Sequence, residues 1–202
     1  MNLTIHRGAK EIGGTCIELR TAESRIILDF GLPLVDENKE PFDAKGIYGK
    51  SKEELIRKSI LPNIKGLYKD DSPSVDAILL SHPHQDHYGL LSFINPDISI
   101  LMSQGCKILI EASYFFGQTG CQLTNIQTVQ SWKPFKMRDF TITPYLVDHS
   151  GFDALAFMIE AEGKKVFYSG DFRGHGRKSI LFNNPTFNLE VQHKKKRLQV
   201  VF

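Results

Sequence analysis

Hydrophobic and polar positions alternate in short runs from Asn2 to Phe30, as "LTIHRG", "TCIELR" and "RIILDFG", broken by "GG" and by the charged turn "TAES". Period-two alternation punctuated by turn residues predicts three short strands in an antiparallel meander. From Leu32 to Asp71 the period is lost and Pro, Gly, Asp and Lys become frequent. One stretch there, "SKEELIRKSI", carries Ser51 as a cap with Glu54 three residues on, which predicts a single helix inside a long loop. "VDAILLSH" then predicts a buried strand, followed by the apolar-periodic "DHYGLLSFI", a strand at "ISILMS" and a helix near "GCKILIEASYFF". Strand, loop, helix, strand, helix is the pattern of an α/β fold. After Gln130 the alternation returns in "FTITPYLVDH", "LAFMIEAEG" and "KKVFYSGD", with "AEGK" as a hairpin turn. The last stretch, "LFNNPTFNLEVQHKKKRLQVVF", differs in texture and reads either as an edge strand or as a frayed tail.

Composition narrows the class without choosing a function. At 202 residues, 41% hydrophobic and 24% charged, the chain suits one domain with a sizeable core. A formal net charge of +2 neither announces nor excludes a nucleic-acid partner. Cys16, Cys106 and Cys121 are far apart and form no CxxC pair, which argues against a disulfide framework or a thiolate zinc site and predicts a reducing, cytoplasmic setting. The opening "MNLTIHRGAKEIGG" has no signal-peptide core. No apolar run approaches the roughly 18 residues of a membrane span.

Chemistry enters at Ser81–Gly89, "SHPHQDHYG", which holds three of the chain's seven histidines. In extended chain, side chains alternate, so His82, His84 and Asp86 can face one side; His87 joins them only if the chain turns helical there. Imidazole and carboxylate ligands suit zinc, with manganese or iron as further options, and the spacing suits two ions better than one. Further ligands must come from elsewhere. His149 in "VDHSGFDA" and Asp171 in "FYSGDFRG" sit at the ends of expected strands, where α/β folds place their chemistry. A carboxylate such as Asp171 can bridge two ions about 3.5–4 Å apart.

His82-x-His84-x-Asp86-His87, then His149, then Asp171, preceded by Asp29 in "IILDFG", resembles the metallo-β-lactamase fold of metal-dependent hydrolases over roughly residues 1 to 180. "AKEIGGTCIEL", "LDFGLP", "DHSGFDALAFMI" and "SGDFRG" are similar to the nucleic-acid-processing branch that includes ribonuclease J and the cleavage-and-polyadenylation endonucleases. The resemblance implies an αββα sandwich. It makes His82, His84 and His149 ligands of one zinc ion, Asp86 and His87 ligands of a second, and Asp171 the bridge. Asp29 would stand behind the ligands, fixing imidazole tautomers, or would simply be a turn aspartate. Asp86 would also orient an attacking hydroxide. The implied reaction is phosphodiester hydrolysis, with RNA as the substrate. A small ester, thioester or lactam is the alternative substrate class, and a non-catalytic metal-binding remnant is the third reading.

The family completes its second metal position with one more histidine, and only 31 residues follow Asp171 in this chain. Of the two late histidines, His175 with Arg173 and Arg177 either contacts substrate phosphate or forms a solvated basic turn. His193 adjoins the cations Lys194–Arg197, which would repel a metal ion. The expectation is therefore a hydrolase domain over residues 1–182, incomplete at its C-terminus, followed by an atypical basic tail over residues 183–202. One ion could then load in place of two. A homodimer is expected only of a full-length parent.

Overall fold

The computed structural model describes residues 1–36, 38–117, 122–173 and 198–201. His175, Arg177, His193 and Cys121 lie outside the described residues. The expected meander forms as β1 (Asn2–Arg7), β2 (Cys16–Arg20) and β3 (Arg25–Leu28), paired antiparallel in that order. The long loop carries a short 3-10 turn at Ala44–Ile47 and α1 (Lys52–Arg57), where Ser51 Oγ accepts from Glu54 N at 3.2 Å. β4 (Ala77–Leu79), β5 (Ser99–Met102) and β6 (Ile126–Thr128) then add in parallel beyond β3. Their connections hold the one-turn α2 (Gln85–Tyr88) and the longer α3 (Gln104–Phe115).

A second sheet follows from β7 (Phe135–Met137), β8 (Phe140–Leu146), β9 (Leu155–Ala161) and β10 (Lys164–Tyr168), all antiparallel neighbours. β11 (Leu198–Val201) adds parallel to β10, so these four residues of the tail form an edge strand.

Alternation along the strands decides the layers. Leu19, Ile26, Leu28, Leu79 and Leu101 on one sheet meet Phe140, Ile142, Phe157, Ile159 and Val166 on the other in a sealed core. The opposite face of the first sheet, with Ile27, Ile78 and Ile100, is covered by Leu55 of α1 and by Cys106 and Ile110 of α3. The described residues thus supply the helix layer and both sheets of the expected sandwich. On the outer face of the second sheet Tyr145, Met158 and Phe167 form a smaller apolar cluster with Trp132.

This arrangement brings strand ends together at one edge. Leu28 is opposite Leu79, and Leu79 opposite Leu101, so the residues that follow β3, β4 and β5 emerge side by side. The second sheet is stitched to the same edge, where Leu155 N donates to Ser81 O at 2.8 Å. The segment after β3 lies along α2, with Phe30 N on His87 O at 2.7 Å and Leu32 N on Gln85 O at 2.9 Å.

Candidate metal centre

β4 runs directly into Ser81 and His82, both buried, and Pro83 holds the next residue extended before α2 begins. His84 is the N-cap residue of α2 and makes no side-chain cap bond, which leaves its ring for the cluster. α2 lasts a single turn, enough to bring His87 back beside His82, their ring centroids 4.0 Å apart. His149 enters from the loop after β8, and Asp171 from the segment after β10. All six sequence-predicted ligands therefore converge on one edge of the sandwich.

Two groups of ligand atoms form. His82 Nε2 and His149 Nε2 each lie 3.1 Å from His84 Nδ1. Zn–N bonds of about 2.0–2.1 Å put the nitrogens of a tetrahedral set about 3.3 Å apart, so both of these separations are close to the edge length of such a set. The second group joins His82, His87 and Asp171, with His87 Nε2 3.5 Å from Asp171 Oδ1 and 3.6 Å from Asp86 Oδ2. Asp171 Oδ2 is 4.0 Å from His149 Nε2, so its two oxygens face the two groups. Arg173 is exposed, and its backbone N donates to Asp148 O at 2.6 Å beside His149.

Behind the ligands sits Asp29, which has no exposed surface. Ser81 N donates to its Oδ1 at 2.7 Å, and Ser81 Oγ to its Oδ2 at 2.6 Å. The same Oδ2 accepts from Tyr168 OH and from His87 Nδ1, the latter at 2.6 Å. Since the single Ser81 hydroxyl proton is committed to Asp29, the 2.9 Å contact of Ser81 Oγ with His82 Nδ1 must carry the histidine's own proton. Both His82 and His87 thereby hold their Nδ1 protons away from the cluster and turn Nε2 toward it, the tautomer a metal ligand needs. His149 Nδ1 is buried and has no such partner among the described residues.

The electrostatics agree with a cation site. Burial, then the neighbouring His87 charge, lowers His82 to about 3, and burial likewise lowers His149. His87 is the exception: burial opposes its charge, but Asp29 and Asp171 raise it to about 10. Its hydrogen bond to Asp171 in turn holds that carboxyl at about 2. Burial would push Asp29 upward as well, yet the His87 charge and its own donors keep it below the usual carboxylate range. The chain thus keeps positive charge on a ring whose Nε2 faces two carboxylates, a position a divalent ion can take in place of the proton.

Sequence reasoning did not single out Ser81 or Tyr168. Ser81 adjoins the histidine run, which is a local signal. Tyr168 is visible only as an inward position of the alternating "KKVFYSGD", and nothing in that pattern names Asp29 as its partner.

A two-sheet sandwich with this edge-mounted histidine and aspartate cluster defines a metallo-β-lactamase fold. Residues 56–182, more than half of the chain, match the β-lactamase superfamily domain, and the chain belongs to that family of hydrolases. It is 24% identical over 168 residues to ribonuclease J of Mycoplasma genitalium, covering 82% of this chain and 27% of the relative. It is 20% identical over 188 residues to an RNase J-like protein of Methanocaldococcus jannaschii, covering 89% and 38%. The chain therefore spans between about a quarter and two fifths of the length of these relatives. Among solved structures, a protein of unknown function from Enterococcus faecalis superposes with a TM-score of 0.75 at 24% identity, over 89% of this chain and 45% of the other. No helix among the described residues is long and apolar enough to cross a membrane.

Proposed function

We propose that this chain carries the metal centre of a phosphodiesterase that hydrolyses RNA. The observation that carries the reading is the pair of ligand groups that share His82, with Asp171 facing both. In this assignment His82, His84 and His149 would hold one divalent ion, Asp86 and His87 would hold a second, and Asp171 would be available to both. Two zinc ions bound there would supply Lewis-acid polarisation of a phosphoryl oxygen and a water of lowered pKa. Manganese or iron would satisfy the same donor set. Asp86 orients the attacking water by accepting its hydrogen bond, and Asp29 and Ser81 hold the imidazoles in register. Arg173, at the open side of the site, meets substrate phosphate. The names of the relatives, ribonuclease J and an RNase J-like protein, support RNA as the substrate.

Metal analysis of the purified chain should give close to two ions per chain where the second position is complete and one where it is not, and labelled single-stranded RNA should be cut in the presence of metal but not after chelation. His84→Ala should abolish both cutting and metal at the triad. A metal-free protein after incubation with zinc would overturn the assignment of a metal centre. Turnover of a chromogenic ester with RNA left intact would shift the reading to a small-molecule hydrolase.

A further inference from the structure

The loop between β1 and β2, residues 8–15, is pressed against α2 at Asp86. Thr15 N donates to Asp86 O at 3.2 Å. A Cβ on Gly13 would lie 2.8 Å from Asp86 Cβ and 2.7 Å from Leu34 Cγ, so the loop backbone closes over the root of the Asp86 side chain. Gly13 and Gly14 both have positive φ, +74° and +70°, the left-handed backbone that glycine adopts at little cost.

An ion pair inside the loop holds it down. Arg7 ends β1 with its guanidinium buried, and Glu11 lies at the far turn of the loop. Arg7 Nε donates to Glu11 Oε1 at 3.0 Å and Arg7 Nη2 to Glu11 Oε2 at 2.5 Å, a two-pronged pair, and Gly8 N adds a bond to Oε1 at 3.3 Å. Arg7 Nη1 donates to Ile60 O, which ties the pair to the segment after α1. Gly14 rests on the same guanidinium, where a Cβ would be 3.0 Å from Nη2. The loop is thus held between Arg7 on Gly14 and Asp86 on Gly13. Exposed ion pairs contribute little, but this one is bidentate and has a buried cation. Burial opposes the charge of Glu11, yet the hydrogen bond and charge of Arg7 lower its carboxyl below the ordinary value.

We propose that Glu11 is a positioning residue: paired with Arg7, it holds Gly13 against Asp86 and so keeps the Asp86 carboxylate directed at the position it shares with His87. This rests on the reading above, in which that position takes the second ion, and adds the pair that sets its affinity. Asp86 Oδ2 lies 3.6 Å from His87 Nε2, and a carboxylate free to rotate away would have to be reordered each time an ion bound. The loop contacts fall on Asp86 and not on His84 or His149, so the effect belongs to one position. Leu34 N on Ile12 O at 3.1 Å and Gly31 N on Thr15 O at 3.1 Å still tether the loop when the pair is broken, so the loss of Glu11 loosens it without detaching it.

Zinc titration of the full chain against a competing chelator tests this, with His84→Ala identifying which affinity belongs to the triad and urea unfolding reporting stability. Glu11→Gln turns an amide donor toward the guanidinium and should weaken the Asp86–His87 position by about 10-fold, the lower end for loss of a group that orients a ligand, with the triad unchanged. Gly13→Ala leaves the ion pair in place but drives a methyl group onto Asp86, and should weaken the same position. With Asp86→Ala already present, Glu11→Gln should cause no further loss there, because the group it positions is gone; additive losses would overturn the proposal. So would wild-type affinity at both positions in Glu11→Gln, or equal weakening of both together with a lower urea midpoint, which would mark the pair as support for the fold alone. In each of these cases the two-ion reading stands. A wild-type chain that loads zinc at the triad only would overturn the second ion and the positioning role together.

Discussion

Asp29 Oδ2 accepts the Nδ1 proton of His87 at 2.6 Å, across 58 residues of sequence and without water access to the carboxylate. That contact fixes which nitrogen of His87 faces Asp86 and Asp171. Replacing Asp29 with Asn preserves shape but substitutes a weaker, neutral acceptor, whose amide can instead present a donor to the ring. Asp29→Asn should weaken metal binding at the His87 position by about 10- to 100-fold, as expected when the group orienting a ligand is lost. The triad of His82, His84 and His149 should be affected less. Chelator competition on the zinc-loaded variant separates the two ions by affinity. Equal, wild-type-like affinities for both would show that Asp29 does not position the ligand.

Tyr168 supplies the fourth donor to Asp29, beside Ser81 N, Ser81 Oγ and His87 Nδ1. Burial first, and then the Asp29 charge, pushes its phenol well above the ordinary tyrosine range, so the hydroxyl stays a donor. Tyr168→Phe keeps the ring in the inter-sheet core and removes only that proton. The expected cost is about 1–3 kcal/mol of stability, typical of a hydrogen bond to a buried charge. Urea unfolding of the metal-free protein measures it. An unchanged midpoint would mean that the carboxylate is fully satisfied by its other three donors.

Gly31 lies where the segment after β3 passes α2, and the two backbones touch. A Cβ on Gly31 would sit 1.6 Å from Asp86 O and 2.0 Å from Asp86 C. These are main-chain atoms, so no side-chain rotation can relieve the overlap. Gly31→Ala should destabilise the protein by about 1–3 kcal/mol or more, since backbone must shift to admit the methyl group. Because α2 carries both Asp86 and His87, metal content at their position should fall with it. A variant with wild-type melting temperature and full metal content would contradict this packing.

The convergence of the proposed ligand residues at one edge is legible because their signal is local. Alternation after a buried strand predicts His82 and His84 on one side, and a single helical turn is all that His87 needs. His149 and Asp171 could be nominated because strands ending in His or Asp are recognisable one at a time. The two sheets were legible for the same reason, strand by strand, although the short β6 and β7 were not resolved by pattern. What the sequence could not supply is which strands face each other. Asp29 and Tyr168 are 139 residues apart and meet only because the end of β10 stacks over the end of β3. On sequence alone Asp29 reads equally as a turn residue and as a neighbour of metals, and what the fold adds is its burial against His87.

A final prediction concerns acid stability away from the metal centre. Glu18 on β2 is almost fully buried; its Oε2 lies 2.8 Å from His6 Nε2, and Arg25 Nε and Nη2 donate to its two oxygens at 2.8 and 2.9 Å. Burial alone would raise its pKa, but the hydrogen bonds from His6 and Arg25 and the Arg25 charge outweigh it and lower the group from 4.5 to about 2. A carboxyl with a depressed folded-state pKa contributes stability above its unfolded value and loses it as pH falls toward the folded one. The contribution should be complete above about pH 5 and vanish between about pH 4.5 and pH 2, which is the direction of the shift. Glu18→Gln should cost about 2 kcal/mol at neutral pH, the scale of a charge-assisted hydrogen bond. Other acid-labile groups are common to both proteins, so the difference between their urea midpoints, followed from pH 7 downward, isolates Glu18. A difference that stays constant through this window would show that its ionisation is not what the β1–β2–β3 meander relies on.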